Sequence, residues 1–217
     1  MKIRHASDKT HEFAERIVKR YLEGVRNRLG FHRSDAISCP LKAYWRLTGH
    51  EPEYSPQQIG NFILGNLAHA MIESYFDTQE LQIKVGGLVY VTIDATLDGY
   101  PIEIKTTRRK IYRRDQIPQE WIEQLAFAMS ALKKNKGYLF VLNYISFAVM
   151  VWEVEMTDNE IRHYSQQLLW SIIKIIDAVK KRNPEMLHPK HADCQYCMYR
   201  KICPYKAIKT RKRGKKR

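Results

Sequence analysis

The sequence predicts an α/β or α+β fold, on three observations. Segments with helical spacing open the chain, alternating β-rich segments follow, and a helix, two strands and a helix close it. Within the β-rich block, Val91–Lys105 reads V-T-I-D-A-T-L-D-G-Y-P-I-E-I-K, two strand-like runs around a Gly99-Tyr100-Pro101 turn. Farther on, Thr157-Asp158-Asn159-Glu160 is a capping box that starts a long helix.

In chain order, residues 8–29 place Phe13, Ile17, Val18, Tyr21, Leu22, Val25 and Leu29 at helical spacing, with Asp8 or Thr10 to cap the start and Gly30 to end it. Residues 34–38 predict one short helical turn. Pro40, whose fixed φ suits a first turn, opens a helix over Leu41–Leu47 that ends near Gly49. A polar loop leads to a helix over Gln57–Phe76, whose buried side is expected at Ile59, Ile63, Leu67, Met71 and Phe76. Gly65 lies inside that helix at a cost of about 1 kcal/mol, which a close backbone approach would justify. Strands are expected at Leu81–Val85, Leu88–Thr96 and Tyr100–Thr106. Thr107–Gln119 is basic and irregular, and a helix follows from about Glu120 to Lys134. Tyr138–Tyr144 and Ser146–Glu155 read as two strands joined by a turn at Asn143–Ser146. The capped helix runs to about Lys181, where Asn183-Pro184 stops it, and residues 185–205 are irregular.

A chain of 217 residues buries enough core for one domain, here residues 1–205, with residues 206–217 as a flexible basic tail. The 44% hydrophobic and 11% aromatic content excludes a disordered chain. Net charge is +14 and the pI is near 9.6. The tail supplies eight of those positive charges, yet the remainder is still basic. A polyanionic partner is the inference, nucleic acid ahead of an anionic membrane. No apolar run approaches the ~18 residues of a membrane span. The opening M-K-I-R-H-A-S-D lacks the apolar core of a signal peptide, so a cytoplasmic protein is expected. In that compartment four cysteines read as metal ligands rather than disulfides.

Residues two apart on a strand share a face, so Glu103 and Lys105 point one way and Ile102 and Ile104 the other. If the two runs pair as a hairpin, Asp94 comes beside Glu103. Two carboxylates and an ammonium then suit a hard divalent cation and a phosphate. The plainer reading of the same residues is a solvated hairpin carrying a charge pair. Cys194-x2-Cys197-x5-Cys203 with the distant Cys39 makes four thiolates. They would fill a tetrahedral zinc site or an iron–sulfur cluster, and the spacing does not choose between them. A group held this way would clip the two ends of the domain together.

Taken together, these residues resemble the RecB-like nuclease family of the PD-(D/E)xK superfamily, and within it the CRISPR-associated exonucleases that carry an iron–sulfur cluster. The resemblance covers roughly Ser34–Pro204. Its G-x3-H motif matches Gly65 to His69, its I-D-A motif Ile93-Asp94-Ala95, its E-I-K-T motif Glu103-Ile104-Lys105-Thr106, and its helical glutamine Gln124. Val91 replaces a usual glycine and Ala128 a usual tyrosine, and the second change bears on how DNA is held.

The resemblance implies a restriction-endonuclease-like α/β core, a mixed central sheet flanked by helices. It adds a lid from about residues 31–55 and 184–205, stapled by a 4Fe–4S cluster on Cys39, Cys194, Cys197 and Cys203. It implies DNA hydrolysis with Mn²⁺ or Mg²⁺ held by His69, Asp94, Glu103 and the Ile104 carbonyl. Asp98 is a rival to Asp94, but the I-D-A context favours Asp94. Lys105 would orient or deprotonate the attacking water, and Gln124 would position water or phosphate. Arg108, Arg109, Lys110, Arg113 and Arg114 form a basic loop that either steers the DNA backbone or is merely solvated. Tyr44, Trp45, Tyr196 and Tyr199 would stack single-stranded bases or shield the cluster, with shielding favoured. The implied partners are DNA with single-stranded ends and CRISPR integration proteins. A recombination or repair nuclease, or a weakly catalytic DNA-binding module, would carry the same residues.

Overall fold

A six-stranded mixed sheet organises the computed structural model, which describes residues 16, 31–190, 194 and 197–205. The helix expected over residues 8–29 lies outside the described residues except at Arg16, and Tyr196 and the tail 206–217 lie outside them too. The strands are β1 (Phe31–His32), β2 (Thr78–Val85), β3 (Val89–Leu97), β4 (Tyr100–Thr107), β5 (Lys136–Asn143) and β6 (Ala148–Glu155). The helices are α1 (Arg33–Ile37), α2 (Pro40–Leu47), α3 (Pro56–Glu73), α4 (Gln119–Leu132) and α5 (Asp158–Lys180). Strand order is β1-β3-β4-β5-β6, with β2 on the other edge of β3. The α/β expectation holds, and β1, only two residues long, carries no periodic signal that would have announced it.

The β3–β4 hairpin decides where the polar residues meet. Asp98 and Gly99 both have positive φ, 52° and 73°, as a two-residue turn matched to strand twist requires. Pairing runs through Leu97↔Tyr100, Thr96↔Pro101 and Ala95↔Ile102, and stops there. From Ile102 onward β4 pairs in parallel with β5, which the α4 crossover makes possible. Farther along β3, at Val89 and Tyr90, the same edge is taken by β1. Asp94 and Glu103 therefore sit where two paired strands part, and the gap between β1 and β4 becomes a recess.

Two helical layers bury the sheet. On one face Ala68 and Ile72 of α3 pack on Ala95, Ile102 and Ile104. On the other, α1, α4 and α5 cover Val89, Val91, Ile93, Leu139 and Val141 with Ala36, Phe127, Met129, Leu168 and Ile172. The capping box of α5 forms as expected: Glu160 N donates to Thr157 Oγ1 at 3.3 Å and Thr157 N to Glu160 Oε2 at 2.7 Å.

The buried side of α3 corrects the sequence reading. Ile59 is buried, but Leu67 and Met71 are 65% and 58% exposed, and Ala68 and Ile72 take the sheet contact. The sheet accepts the row carrying a small residue, so the larger side chains are turned outward. Nor does a close approach explain Gly65. A Cβ there would meet Thr106 Oγ1 at 3.7 Å, an ordinary contact.

The chain after α5 folds back on α2. Cys39, Leu41, Tyr44, Trp45, Ile175, Leu187 and Tyr199 form one apolar cluster, with Cys197 and Cys203 packed against it. Glu53 N donates to Met198 O at 3.0 Å, Lys201 pairs with Glu53, and Lys190 Nζ donates to Ile37 O. Among the described residues no helix is long and apolar enough to cross a membrane.

Candidate active site

Helix α3 presents His69 and, one turn later, Glu73 on the same face. His69 Nδ1 lies 3.6 Å from Glu73 Oε1 and 3.8 Å from Asp94 Oδ2. One ligand atom from each of His69, Glu73 and Asp94 falls within 4.8 Å of the others, a spacing that one cation could bridge. The donor set, two carboxylates and an imidazole, suits Mg²⁺ and, through the softer nitrogen, Mn²⁺. The three residues line a recess of about 400 Å³ together with Arg33, Asn66 and Glu80. Glu80 sits on β2 between Gln79↔Ala95 and Leu81↔Ile93, with φ at +24°, so backbone strain is stored beside the recess.

The strand gap also governs the second carboxylate. Ile104 N, released from the β3 ladder, donates to Asp94 Oδ2 at 2.7 Å. Glu103 is 1% exposed. Lys105 Nζ donates to Glu103 Oε1 and to Gln124 Oε1, each at 2.5 Å. Gln124 reaches inward from α4 for this bond. Arg33, the first residue of α1, donates to both Glu103 oxygens, at 2.7 and 3.3 Å, and to Gln124 O at 2.9 Å.

These contacts set the charge states. Burial pushes Asp94 up to about 7, with Glu103 adding to the rise, while Lys105, Arg33 and the Ile104 N–H oppose it. Burial would raise Glu103 as well, but Arg33 and then Lys105 outweigh it and hold that carboxylate below its usual range. Burial, followed by Lys105, holds His69 below the ordinary imidazole value, which favours the neutral ring a cation needs. Glu73 is raised, by burial and then by Glu80.

His69, Asp94, Glu103, Ile104, Lys105 and Gln124 are thus brought together. Glu103 stands apart from the His69–Glu73–Asp94 trio because Arg33 and Lys105 engage it. Asp98 sits in the exposed hairpin turn, where its N–H donates to Asp77 Oδ2 at 2.9 Å. Val91 and Ala128, the two departures from the family pattern, are core residues beside Ile93 and Phe127. Arg108, Arg109, Lys110, Arg113 and Arg114 are exposed on the loop after β4, which is anchored by the fully buried Ile111 and by Asn143 Nδ2 donating to Arg109 O at 3.1 Å. Arg113 is paired with Asp115 at 3.2 Å. Tyr44, Trp45 and Tyr199 are buried, so they serve as core and not as a stacking platform. Cys39, Cys194, Cys197 and Cys203 are all free of disulfides.

Two site residues escaped the sequence reading. Glu73 had a signal, its four-residue offset from His69 on a helix. Arg33 had none, because it reaches Glu103 only through the tertiary fold.

A family model described as the PD-(D/E)XK nuclease superfamily matches residues 92–204, more than half of the chain. No curated protein matches the sequence. The fold is similar to that of SSO0001, with a TM-score of 0.60 and 20% identity over 91% of this chain and 96% of that one. It is also similar to LHK-Exo, an alkaline exonuclease from Laribacter hongkongensis, in its complex with dAMP. There the TM-score is 0.51 and the identity 15%, over 70% of this chain and 91% of that one.

Proposed function

The chain belongs to the PD-(D/E)XK nuclease superfamily, and from that membership we propose that it hydrolyses DNA phosphodiester bonds with Mn²⁺ or Mg²⁺, working inward from single-stranded ends. The observation that carries this reading is the convergence of His69, Glu73 and Asp94 within 4.8 Å, with Glu103 and Lys105 alongside. An exonuclease of similar fold has been solved in complex with dAMP, which supports a nucleotide as the ligand class.

His69, Asp94, Glu103 and the Ile104 carbonyl would hold the cation, and Glu73 joins them. A cation there lowers the pKa of water and offsets charge on the phosphate. Lys105 orients the attacking water and places positive charge where the phosphate becomes more negative. Gln124 and Glu103 aim that ammonium by holding it from two sides. The water oxygen bonds to phosphorus as the bond to O3′ breaks; the water gives up a proton and O3′ takes one from solvent, leaving a 5′-phosphate and a 3′-hydroxyl. Burial of Glu103 and Ile104 keeps the polar network away from bulk water, where its interactions would be weaker. Arg108, Arg109, Lys110, Arg113 and Arg114 lie on the loop just after Lys105 and would draw the DNA backbone toward it.

The four thiols fit a shared group in chemistry. Three of them, Cys39, Cys197 and Cys203, pack on one aromatic cluster with Tyr44, Trp45 and Tyr199. A 4Fe–4S cluster there would staple residues 31–55 to 184–205 as a lid. The resemblance to the CRISPR-associated exonucleases suggests a role in CRISPR spacer acquisition, alongside integration proteins. A nuclease of recombination or repair, which would carry the same residues, is the second reading.

Labelled single-stranded DNA, with free and with blocked ends, tests the activity. Cleavage with Mn²⁺ that needs a free end and is lost in Lys105→Ala is the expected result. Cleavage retained in Lys105→Ala would overturn the catalytic assignment. Visible absorbance with stoichiometric iron and sulfide would mark the cluster, and zinc with no colour would replace it.

A further inference from the structure

Arg33 has no task in the reading above, yet it makes more polar contacts in the recess than the cleavage step needs. Its backbone is fixed from outside. His32 N donates to Asp35 Oδ2 at 2.8 Å, and Arg46 holds the same oxygen at 2.6 Å. Ala36 and Ile37 are buried in the core, so the start of α1 cannot drift. From there the guanidinium enters the strand gap, with only 10% of its side chain exposed, and lines the recess beside Asp94 and His69.

The geometry is specific. Lys105 takes Oε1 of Glu103, whereas Arg33 takes Oε2 at 2.7 Å and reaches Oε1 at 3.3 Å. A buried carboxylate left with one short bond would be costly, and the two-pronged guanidinium removes that cost. In the metal-dependent reading above, Glu103 is also a ligand of the cation. Guanidinium and cation therefore contend for one carboxylate, and their like charges oppose each other across it.

We propose that Arg33 is a positioning residue that holds Glu103 in place before the cation arrives and yields to the cation on binding, so that it sets the cation concentration at which the site switches on. This rests on the metal-dependent reading above. It makes an unusual demand on mutants: removing Arg33 weakens turnover and strengthens cation binding. A residue with only a structural role would weaken both.

The test is Mn²⁺ binding, followed by the electron paramagnetic resonance of free Mn²⁺, alongside cleavage of labelled single-stranded DNA across a Mn²⁺ titration. Wild type, Arg33→Gln and Arg33→Lys are compared, with melting curves for each. Arg33→Gln is expected to bind Mn²⁺ at least about tenfold more tightly, since it loses a like charge held close in a poorly screened site. Its rate at saturating Mn²⁺ is expected to fall about tenfold or more, since Glu103 loses its aim. Arg33→Lys keeps the charge but loses the two-pronged grip on Glu103, so it yields to the cation more readily and should lie between the two. Equal or weaker Mn²⁺ binding by Arg33→Gln, or an unchanged rate, overturns the proposal. If Arg33→Gln does not fold, Arg33→Lys decides: tighter binding than wild type supports the proposal, and equal or weaker binding overturns it. A wild-type protein that neither binds Mn²⁺ nor cuts DNA would defeat the metal-dependent reading itself, which is a separate failure.

Discussion

Replacing Asp94 by asparagine should make the cation-free protein more stable at both pH values, and by about 2.5 kcal/mol more at pH 8 than at pH 5. The folded protein pushes Asp94 from 3.8 to about 7, chiefly by burial. For a carboxyl raised in this way, the stabilising form is the protonated one. Its contribution is complete below the unfolded value and is lost as pH rises through about 7. The gap between 3.8 and about 7 corresponds to up to about 4 kcal/mol, of which about 2.5 kcal/mol is lost between pH 5 and pH 8. His69 acts in the opposite direction in both proteins, because its lowered pKa withdraws stability as pH falls. Asparagine keeps an oxygen for the Ile104 N–H and carries no charge to bury. Urea unfolding in chelator, at pH 5 and pH 8, measures the difference directly. Saturating Mn²⁺ should then stabilise wild type at pH 8, do so far less at pH 5, and leave Asp94→Asn unmoved. If both proteins lose the same stability between the two pH values, the account of Asp94 as a carboxyl strained by burial is wrong.

Glu73→Gln should weaken Mn²⁺ binding by about tenfold or more while leaving the melting temperature near wild type, as calorimetric titration would show. Gln124→Leu removes one of the two acceptors that hold Lys105, so single-turnover cleavage should fall about ten- to a hundredfold with Mn²⁺ affinity unchanged. Gly137→Ala would place a Cβ 2.8 Å from Leu125 Cδ1 and 3.0 Å from Pro101 O, and because the second is backbone the thermal midpoint should drop, by about 1–3 kcal/mol in stability. Cys39→Ala should abolish visible absorbance in the purified protein together with its iron content, whereas an unchanged spectrum would remove Cys39 from the ligand set.

The sequence made some of this site legible because the relevant distances are local. The turn, read at Gly99-Tyr100-Pro101, falls at Asp98-Gly99 instead, with Tyr100 and Pro101 already paired in β4, but the alternation of the two runs was enough to bring Asp94 beside Glu103. Lys105 followed from the two-residue period of the strand. Glu73 could have been read from its offset to His69, but a glutamate on a helix is too common to stand out. Arg33 could not have been read at all, since its partner is distant in sequence and its neighbours describe only a short helix. The face of α3 was misread for another reason. Hydrophobic size pointed to Leu67 and Met71, whereas close packing on a sheet selected Ala68 and Ile72. Large apolar residues report what a helix could bury, and only the partner surface decides which row it does bury.

The charge balance of the recess explains why one pair of acids behaves so unequally. Glu103 faces two fixed cations, Arg33 and Lys105, and is kept ionised. Asp94 receives the leftover of their field, plus the repulsion of Glu103, and meets its burial by taking up a proton near neutrality. A cation that binds Asp94 must compete with that proton. The proton on Asp94 is the natural exchange, so cation binding near pH 7 should release a fraction of a proton into solution, and less as pH rises. Before the cation arrives the two carboxylates of the hairpin thus do different work: Glu103 is a permanent anion that aims Lys105, and Asp94 is a place-holder whose proton a cation must displace.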